Sequence, residues 1–379
     1  MLDRSFTRTV EEAASAWHVP ALALGVSAGG REETLALGCA PETVFRIASI
    51  SKPFTALLAV RLLDLEAPTG VWAPEVRVGH LLSHTSGYDG EHGDLARFGD
   101  GDDALASVVR ELPGVRRWVG VDECWSYANA GYWLAGYLCA EAADTTFEEA
   151  LLERVVRPAG LEATSFGPAD VAGTGQDALD APYPRARRPS GGLASNVPDL
   201  LHFGRRLLQA PELRAVRGKP VAGVYGLGLW GERVAGVEVW GHRGSWGGYQ
   251  TTLLTVPARD AVFVGLTNAS RGGNALDRIE DEFLRRVVGE PRRRPETVTL
   301  PAADLRAVAG RYSNGDEDFE VEATDDGTLH VTFGDGAYGA RPVGPHRFEI
   351  TEGDRARELF DFPLPGFGRF GHRLAERVA

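Results

Sequence analysis

Lysine is nearly absent from this chain. Of its 40 basic residues only Lys52 and Lys219 are lysines, and arginine supplies the rest. An arginine keeps its proton inside a protein, whereas a buried lysine can give its proton up, so a lysine kept against that background points to proton transfer. Positive charge is in short supply too. The formal net charge of −13 argues against a nucleic-acid or anionic-membrane surface. No apolar run is long enough to span a membrane, and no secretory leader is visible at the start. Cysteine is scarce as well: Cys39, Cys124 and Cys139, odd in number, fit neither a zinc pattern nor a disulfide framework. A reducing, cytoplasmic setting is the expectation.

What remains is an ordinary globular composition, 43% hydrophobic and 25% charged over 379 residues, enough chain for two or three structural units. Residues 2–18 read as a helix. Ala21 to Ser27 and Thr34 to Leu37, joined through Gly29-Gly30, read as a hairpin of buried strands. Helical patterns dominate the middle of the chain. Strands resume at Val224–Trp230, Val237–Trp240, Thr251–Val256 and Ala261–Leu266, and a helix follows over Ala275–Val288. The segment 291–299, with Arg292, Arg293 and Arg294, reads as a solvated linker. Beyond it, alternating strands around Phe319–Ala323, Leu329–Phe333 and Arg347–Thr351 give a small β domain.

Chemistry-bearing residues gather at four places. In FRIASISKPFTALL an extended piece feeds a helix that Pro53 tolerates only near its start, and Ser49 and Lys52 share one face at i, i+3. A solvated helix start is the plain reading; an activated nucleophile is the other, if burial lowers the lysine pKa. His80 and His84, with His92 and Asp94 beyond, have a spacing that suits zinc on a helix or simple packing within a short helix ended by Ser86-Gly87. The Gly- and Asp-rich stretch 89–103 reads as a loop beside any pocket. Tyr127 and Asn129, two apart before an apolar helix, can project to one side, either as a proton relay with an orienting amide or as a packed ring and a cap. Four glycines surround His242 in GHRGSWGGY, where backbone can approach a ligand closely or turn tightly upon itself.

Ser49-x-x-Lys52, Tyr127-x-Asn129 and His242-x-Gly244, in this order and supported by HLLSHTSG, SGGLASNVPDLLHFG and YGLGLW, resemble the three motifs of the penicillin-recognising serine hydrolases. The nearest branch is similar to the class C β-lactamases, D-alanyl-D-alanine carboxypeptidases, D-aminopeptidases and related esterases, in which His often replaces Lys in the third motif. The resemblance covers roughly residues 5–290. It implies an α+β fold: an antiparallel sheet flanked by helices in a domain over 1–290, with a helical subdomain inserted at about 55–215. Residues 300–379 resemble the lipocalin-like β domain of some members.

The resemblance also implies roles. Ser49 attacks a carbonyl after giving its proton to Lys52, and Tyr127 serves the leaving group. Asn129 orients Lys52 and holds the substrate amide, and His242 hydrogen-bonds Tyr127. The backbone N–H groups of Ser49 and Ser245 form the oxyanion hole, with Arg243 and Gly244 beside the substrate. Arg243 stands where a small hydroxyl residue commonly helps bind a carboxylate, which counts against β-lactams and D-Ala-D-Ala, although an arginine can bind a carboxylate in its own way. With no export signal visible, an intracellular small peptide, amide or ester is the expectation. No cofactor, nucleic acid or membrane enters this scheme. Two alternatives use the same residues differently: an acyl-enzyme that passes its acyl group to an amine, as in peptide cyclases of penicillin-binding-protein type, and a catalytically silent binding protein on the same fold.

Overall fold

The structure, a computed structural model, describes every residue except 92, 180, 181, 216–223, 335, 354 and 379; His92 and Lys219 therefore lie outside the described residues. Helix α1 (Arg4–Ala16) starts at Asp3, whose carboxylate accepts from the Ser5 and Phe6 N–H groups, satisfying the open end of the helix. Strands β1 (Leu22–Ala28) and β2 (Arg31–Leu37) form the expected hairpin. Only β1 is buried, however. β2 is an edge strand, and Arg31, Glu32 and Glu33 keep its open side in water and unattractive to another strand.

After the two-residue strand β3 (Phe45–Arg46) the chain makes a 3-10 turn over Ala48–Ile50 and enters α2 (Ser51–Leu62). Every residue of α2 from Ser51 to Ala59 is buried, as expected of a helix that is apolar all round and lies in a core. Phe54 stacks on Phe203 at 3.5 Å between ring centres. Around α2 lie α3 (Val78–Leu82), α4 (Ala104–Glu111), α5 (Asn129–Ala143), α6 (Phe147–Leu151) and α7 (Arg188–Gly191), then β4 (Ala194–Ser195), which pairs with β3, and α8 (Val197–Leu208). Asn196 caps α8 by accepting from the Asp199 N–H at 3.0 Å.

Strands β5 (Val224–Tyr225), β6 (Trp230–Val234), β7 (Val237–Trp246), β8 (Tyr249–Val256) and β9 (Ala261–Thr267) complete an antiparallel sheet of order β2-β1-β9-β8-β7-β6-β5. Side-chain alternation serves both faces. Leu22, Leu24 and Phe263 meet α1 and α9 (Gly272–Val288) through Phe6, Val10 and Phe283. Ala23, Val262 and Val264 meet α8 and the helical region. The glycine-rich GHRGSW segment is strand rather than a pair of turns, and the reversal falls at Gly247 and Gly248, with φ of 57° and 87°; positive φ at both positions suits a tight hairpin.

Beyond the sheet, α10 (Ala302–Val308) precedes a closed eight-stranded antiparallel barrel: β10 (Gly310–Ser313), β11 (Asp318–Ala323), β12 (Leu329–Phe333), β13 (Gly336–Gly344), β14 (Arg347–Ile350), β15 (Leu359–Leu364), β16 (Phe367–Phe370) and β17 (Arg373–Val378). Pairing of β10 with β17 closes it, which removes free edges. Strands β11 and β12 alternate strictly in burial, and rings of Phe319, Phe333, Phe348, Phe360 and Phe370 fill the interior. Arg292 is no solvated hinge residue. Its guanidinium donates to Glu280 and Glu232, each at 2.7 Å, and pins the connecting segment to α9 and β6. Among the described residues no helix is long and apolar enough to cross a membrane.

Candidate active site

The short turn between β3 and α2 sets Ser49 at the mouth of a buried helix and Lys52 within it. Ala48, just before the serine, has φ of 45°, an unfavourable value for a residue with a Cβ and the kind of local strain that gathers at functional sites. Lys52 is fully buried. Its Nζ lies 3.1 Å from Ser49 Oγ and donates to the Ser190 carbonyl at 2.7 Å. Burial holds its pKa well below the ordinary lysine value, with Glu91 opposing that shift and Arg187 adding to it. The Tyr127 phenol is pushed the other way, upward, by burial, while a hydrogen bond with Ser49 acts in the opposite sense. An amine inclined to lose its proton and a phenol inclined to keep one therefore converge on a single hydroxyl, the pattern that separates a base from an acid.

Gly244 explains why the third motif needs its glycine. A Cβ there would lie 2.2 Å from the Ile47 carbonyl oxygen and 3.1 Å from Ala48 Cβ, so only glycine lets β7 come this close to the Ser49 turn. Beyond Gly241 the outer side of β7 is not paired with β6, whose register runs from Trp230 opposite Gly241 to Val234 opposite Val237. A cleft of about 560 Å³ opens along that stretch, lined by Ser49, Tyr127, Asn129, His242 and Ser245, with Trp230 and His372 at its wall.

Three side chains differ from expectation. His242 turns to Tyr225, not Tyr127: its Nδ1 donates to the Arg243 carbonyl at 2.5 Å, leaving Nε2 to accept from the Tyr225 hydroxyl at 2.9 Å. Burial takes its pKa down to about 3, so the ring is neutral. Asn129 does not reach for Lys52; its amide donates to Glu91, which also pairs with Arg187. Arg243 lines the cleft, but strand alternation sends its guanidinium toward α9, where it pairs with Asp277 at 2.5 Å and with the fully buried Glu280 at 2.6 Å. Those carboxylates occupy the charge that a substrate carboxylate would need.

The two histidines of HLLSHTSG part company. The helix ends at Leu82, earlier than expected. His80 accepts from the Arg77 N–H at 2.9 Å and lies 3.4 Å from Asp122. His84, at φ of 59°, accepts from the Ala128 N–H at 2.9 Å and packs its ring 4.3 Å from that of Tyr127. No metal-binding group of three side chains occurs among the described residues.

Tyr225, Glu91, Arg187 and His372 are site residues that the sequence reading did not single out. Tyr225 lies in the recognised YGLGLW stretch and Glu91 in the loop expected beside the pocket. Arg187 falls in a segment that looked like surface, and its guanidinium lies 5.0 Å above the Trp246 ring. His372 comes from the barrel, and nothing local in its sequence signals the cleft.

An antiparallel sheet flanked by helices, with a serine and a buried lysine at the start of its central helix, defines the β-lactamase-like class of proteins. The sequence model of the Beta-lactamase family matches residues 6–287, and the chain belongs to that family. Penicillin-binding protein 4 of Amycolatopsis lactamdurans is 29% identical over 362 residues, covering 78% of this chain and 93% of the relative. A structure of SurE with D-Leu superposes with a TM-score of 0.79 at 21% identity and 99% coverage of both chains. The D-amino acid amidase of Ochrobactrum anthropi SV3, complexed with L-phenylalanine amide, superposes at 0.62 with 18% identity, covering 74% of this chain and 99% of the amidase.

Proposed function

We propose that the protein is a serine hydrolase that forms an acyl-enzyme on Ser49 and cleaves a small peptide, amide or ester, a D-residue being the first to test. One observation carries the reading: a fully buried lysine amine 3.1 Å from the Ser49 hydroxyl. Ser49 gives its proton to neutral Lys52 Nζ as Oγ bonds to the substrate carbonyl carbon. The Ser49 and Ser245 N–H groups receive the oxyanion, a device contributing about 3 kcal/mol per donor. The Lys52 proton passes through Tyr127 to the leaving group as the carbonyl bond to it breaks, and water then releases the acyl group by the reverse path. Asn129, oriented by Glu91, meets the substrate amide. His242 works through Tyr225 to hold the wall. The D-Leu and D-amino acid amidase structures above favour a D-configured substrate.

A fluorophosphonate probe tests the nucleophile. Labelling of wild type and none of Ser49→Ala is expected; an unlabelled wild type, or equal labelling of both, refutes the reading in favour of a silent binding protein. Peptidyl thioesters then separate the two fates of the acyl group by mass. Linear acid is the product of hydrolysis, and a cyclised product assigns the acceptor as an amine.

A further inference from the structure

We infer that the C-terminal barrel is part of the active site: its β16–β17 turn positions Tyr127, and the His372 ring sets the bulk of the group admitted beside Ser49. The inference rests on the serine-hydrolase reading above.

Three consecutive residues of the loop that carries Tyr127 are each held from the barrel. The Trp125 carbonyl accepts from Arg369 Nη1 at 2.9 Å, Ser126 Oγ accepts from the Leu374 N–H at 3.1 Å, and the Tyr127 N–H donates to the His372 carbonyl at 2.9 Å. Arg373 adds a bridge from Asp89 at 2.7 Å to Asp316 at 2.8 Å. The turn that makes these contacts is shaped for it. Gly371 and His372 have φ of 52° and 74°, the two positive values of a tight hairpin turn, and a histidine there bears conformational cost that a glycine would avoid.

Beneath the turn, Trp118, Val119 and Cys124 of the helical region pack with Leu374, Leu364 and Phe367 of the barrel, so the barrel is seated on an apolar patch and not merely tethered. The His372 ring lies 5.1 Å from that of Trp230, and both line the cleft that holds Ser49. A wall built from two separate parts of the chain limits what can lie between them. Because a misplacement of about 1 Å can cost ~100-fold in rate, the bonds to residues 125–127 fix the Tyr127 hydroxyl against Ser49.

Full-length protein and two fluorophosphonates, bearing a methyl or a benzyl group, test both halves. Wild-type labelling at Ser49 examines the serine reading alone. In Ser126→Ala with Arg373→Gln, the maximal labelling rate is expected to fall about tenfold with the probe half-saturation unchanged, a split that loss of folded protein would not give. In His372→Gly, which keeps the positive-φ turn and its carbonyl, the benzyl-to-methyl ratio of labelling efficiencies is expected to rise about tenfold. With wild type labelled, an unchanged maximal rate in the double variant or an unchanged ratio in His372→Gly overturns the inference. Should the double variant fail to fold, Ser126→Ala alone is judged by the same split.

Discussion

Replacing Lys52 by methionine separates proton transfer from packing. Methionine fills a similar volume in a fully buried position and cannot accept a proton. The amine makes two bonded contacts, the Ser49 hydroxyl at 3.1 Å and the Ser190 carbonyl at 2.7 Å. Losing the second leaves a buried acceptor without its donor, a cost of about 1–3 kcal/mol, partly offset by burial of the apolar thioether. A folded protein with a modestly lowered melting temperature is therefore expected. Losing the first removes the general base, worth roughly 10²- to 10⁴-fold, or about 3–5 kcal/mol of activation free energy. The labelling rate of wild type should climb with pH through an inflection well below the usual lysine range, because the amine is active only when uncharged and burial lowers its pKa. Lys52→Met should be slow at every pH and lack that inflection. Stopped-flow labelling with a fluorophosphonate from pH 5 to 10, beside a thermal melt, reads both quantities. A folded Lys52→Met protein labelled within threefold of wild type would refute the argument that Lys52 takes the serine proton.

Gly244→Ala should lower the labelling rate by about 100-fold and destabilise by about 1–3 kcal/mol, since the new Cβ would meet the Ile47 carbonyl at 2.2 Å and displace the Ser49 turn; an unaffected rate would show that the strand can retreat freely. Arg243→Ala should destabilise by about 2–3 kcal/mol in urea, less than the 3–5 kcal/mol of a fully broken buried pair, because Arg292 still meets Glu280. Half-saturation by substrates with and without a carboxylate should shift alike in that variant, and a selective loss for the carboxylate would restore Arg243 as a recognition group. His242 titrates at about 3 in the folded protein against ~6.5 unfolded. Between these values the unfolded chain binds the extra proton, so stability should fall as pH drops from about 6.5 toward 3, by up to roughly 5 kcal/mol. Denaturant melts of His242→Gln should show a shallower acid decline, and an identical decline would assign it to other groups.

Spacing made part of this site legible. A serine and a lysine three apart at a helix entry share a face whatever surrounds them, and the order of strands, helices and strands follows from hydrophobic period alone. The directions of His242 and Arg243 were not legible. They alternate across β7, and which face holds Tyr225 and which holds Glu280 depends on strand β5 and the distant helix α9. The barrel was visible as strands around residues 319, 329 and 347; its closure and its other strands were not, because short turns and irregular alternation in β13 and β15 blur the period of two. Nothing near His372 in the sequence points at Tyr127, since their meeting depends on how the barrel is seated on Trp118, Val119 and Cys124.

The scarcity of lysine takes on physical meaning once the cations are located. Four buried or half-buried guanidinium groups near the cleft and the barrel meet a carboxylate: Arg243 and Arg292 meet Glu280, Arg369 meets Asp361, and Arg187 meets Glu91. A group that cannot lose its proton must be buried with its counter-charge, because an unpaired charge in the interior costs several kcal/mol. Lys52 is buried more deeply than any of these arginines, yet its bonded partners are a hydroxyl and a carbonyl. Such surroundings favour the neutral amine, and burial holds its pKa well below the ordinary lysine value. An arginine at position 52 would need a carboxylate inside the pocket, and that carboxylate would itself stand where the substrate carbonyl must develop negative charge. The same burial that disfavours a permanent cation at this position therefore favours a lone pair beside Ser49, and the proposed base is a residue type the rest of the chain has little use for.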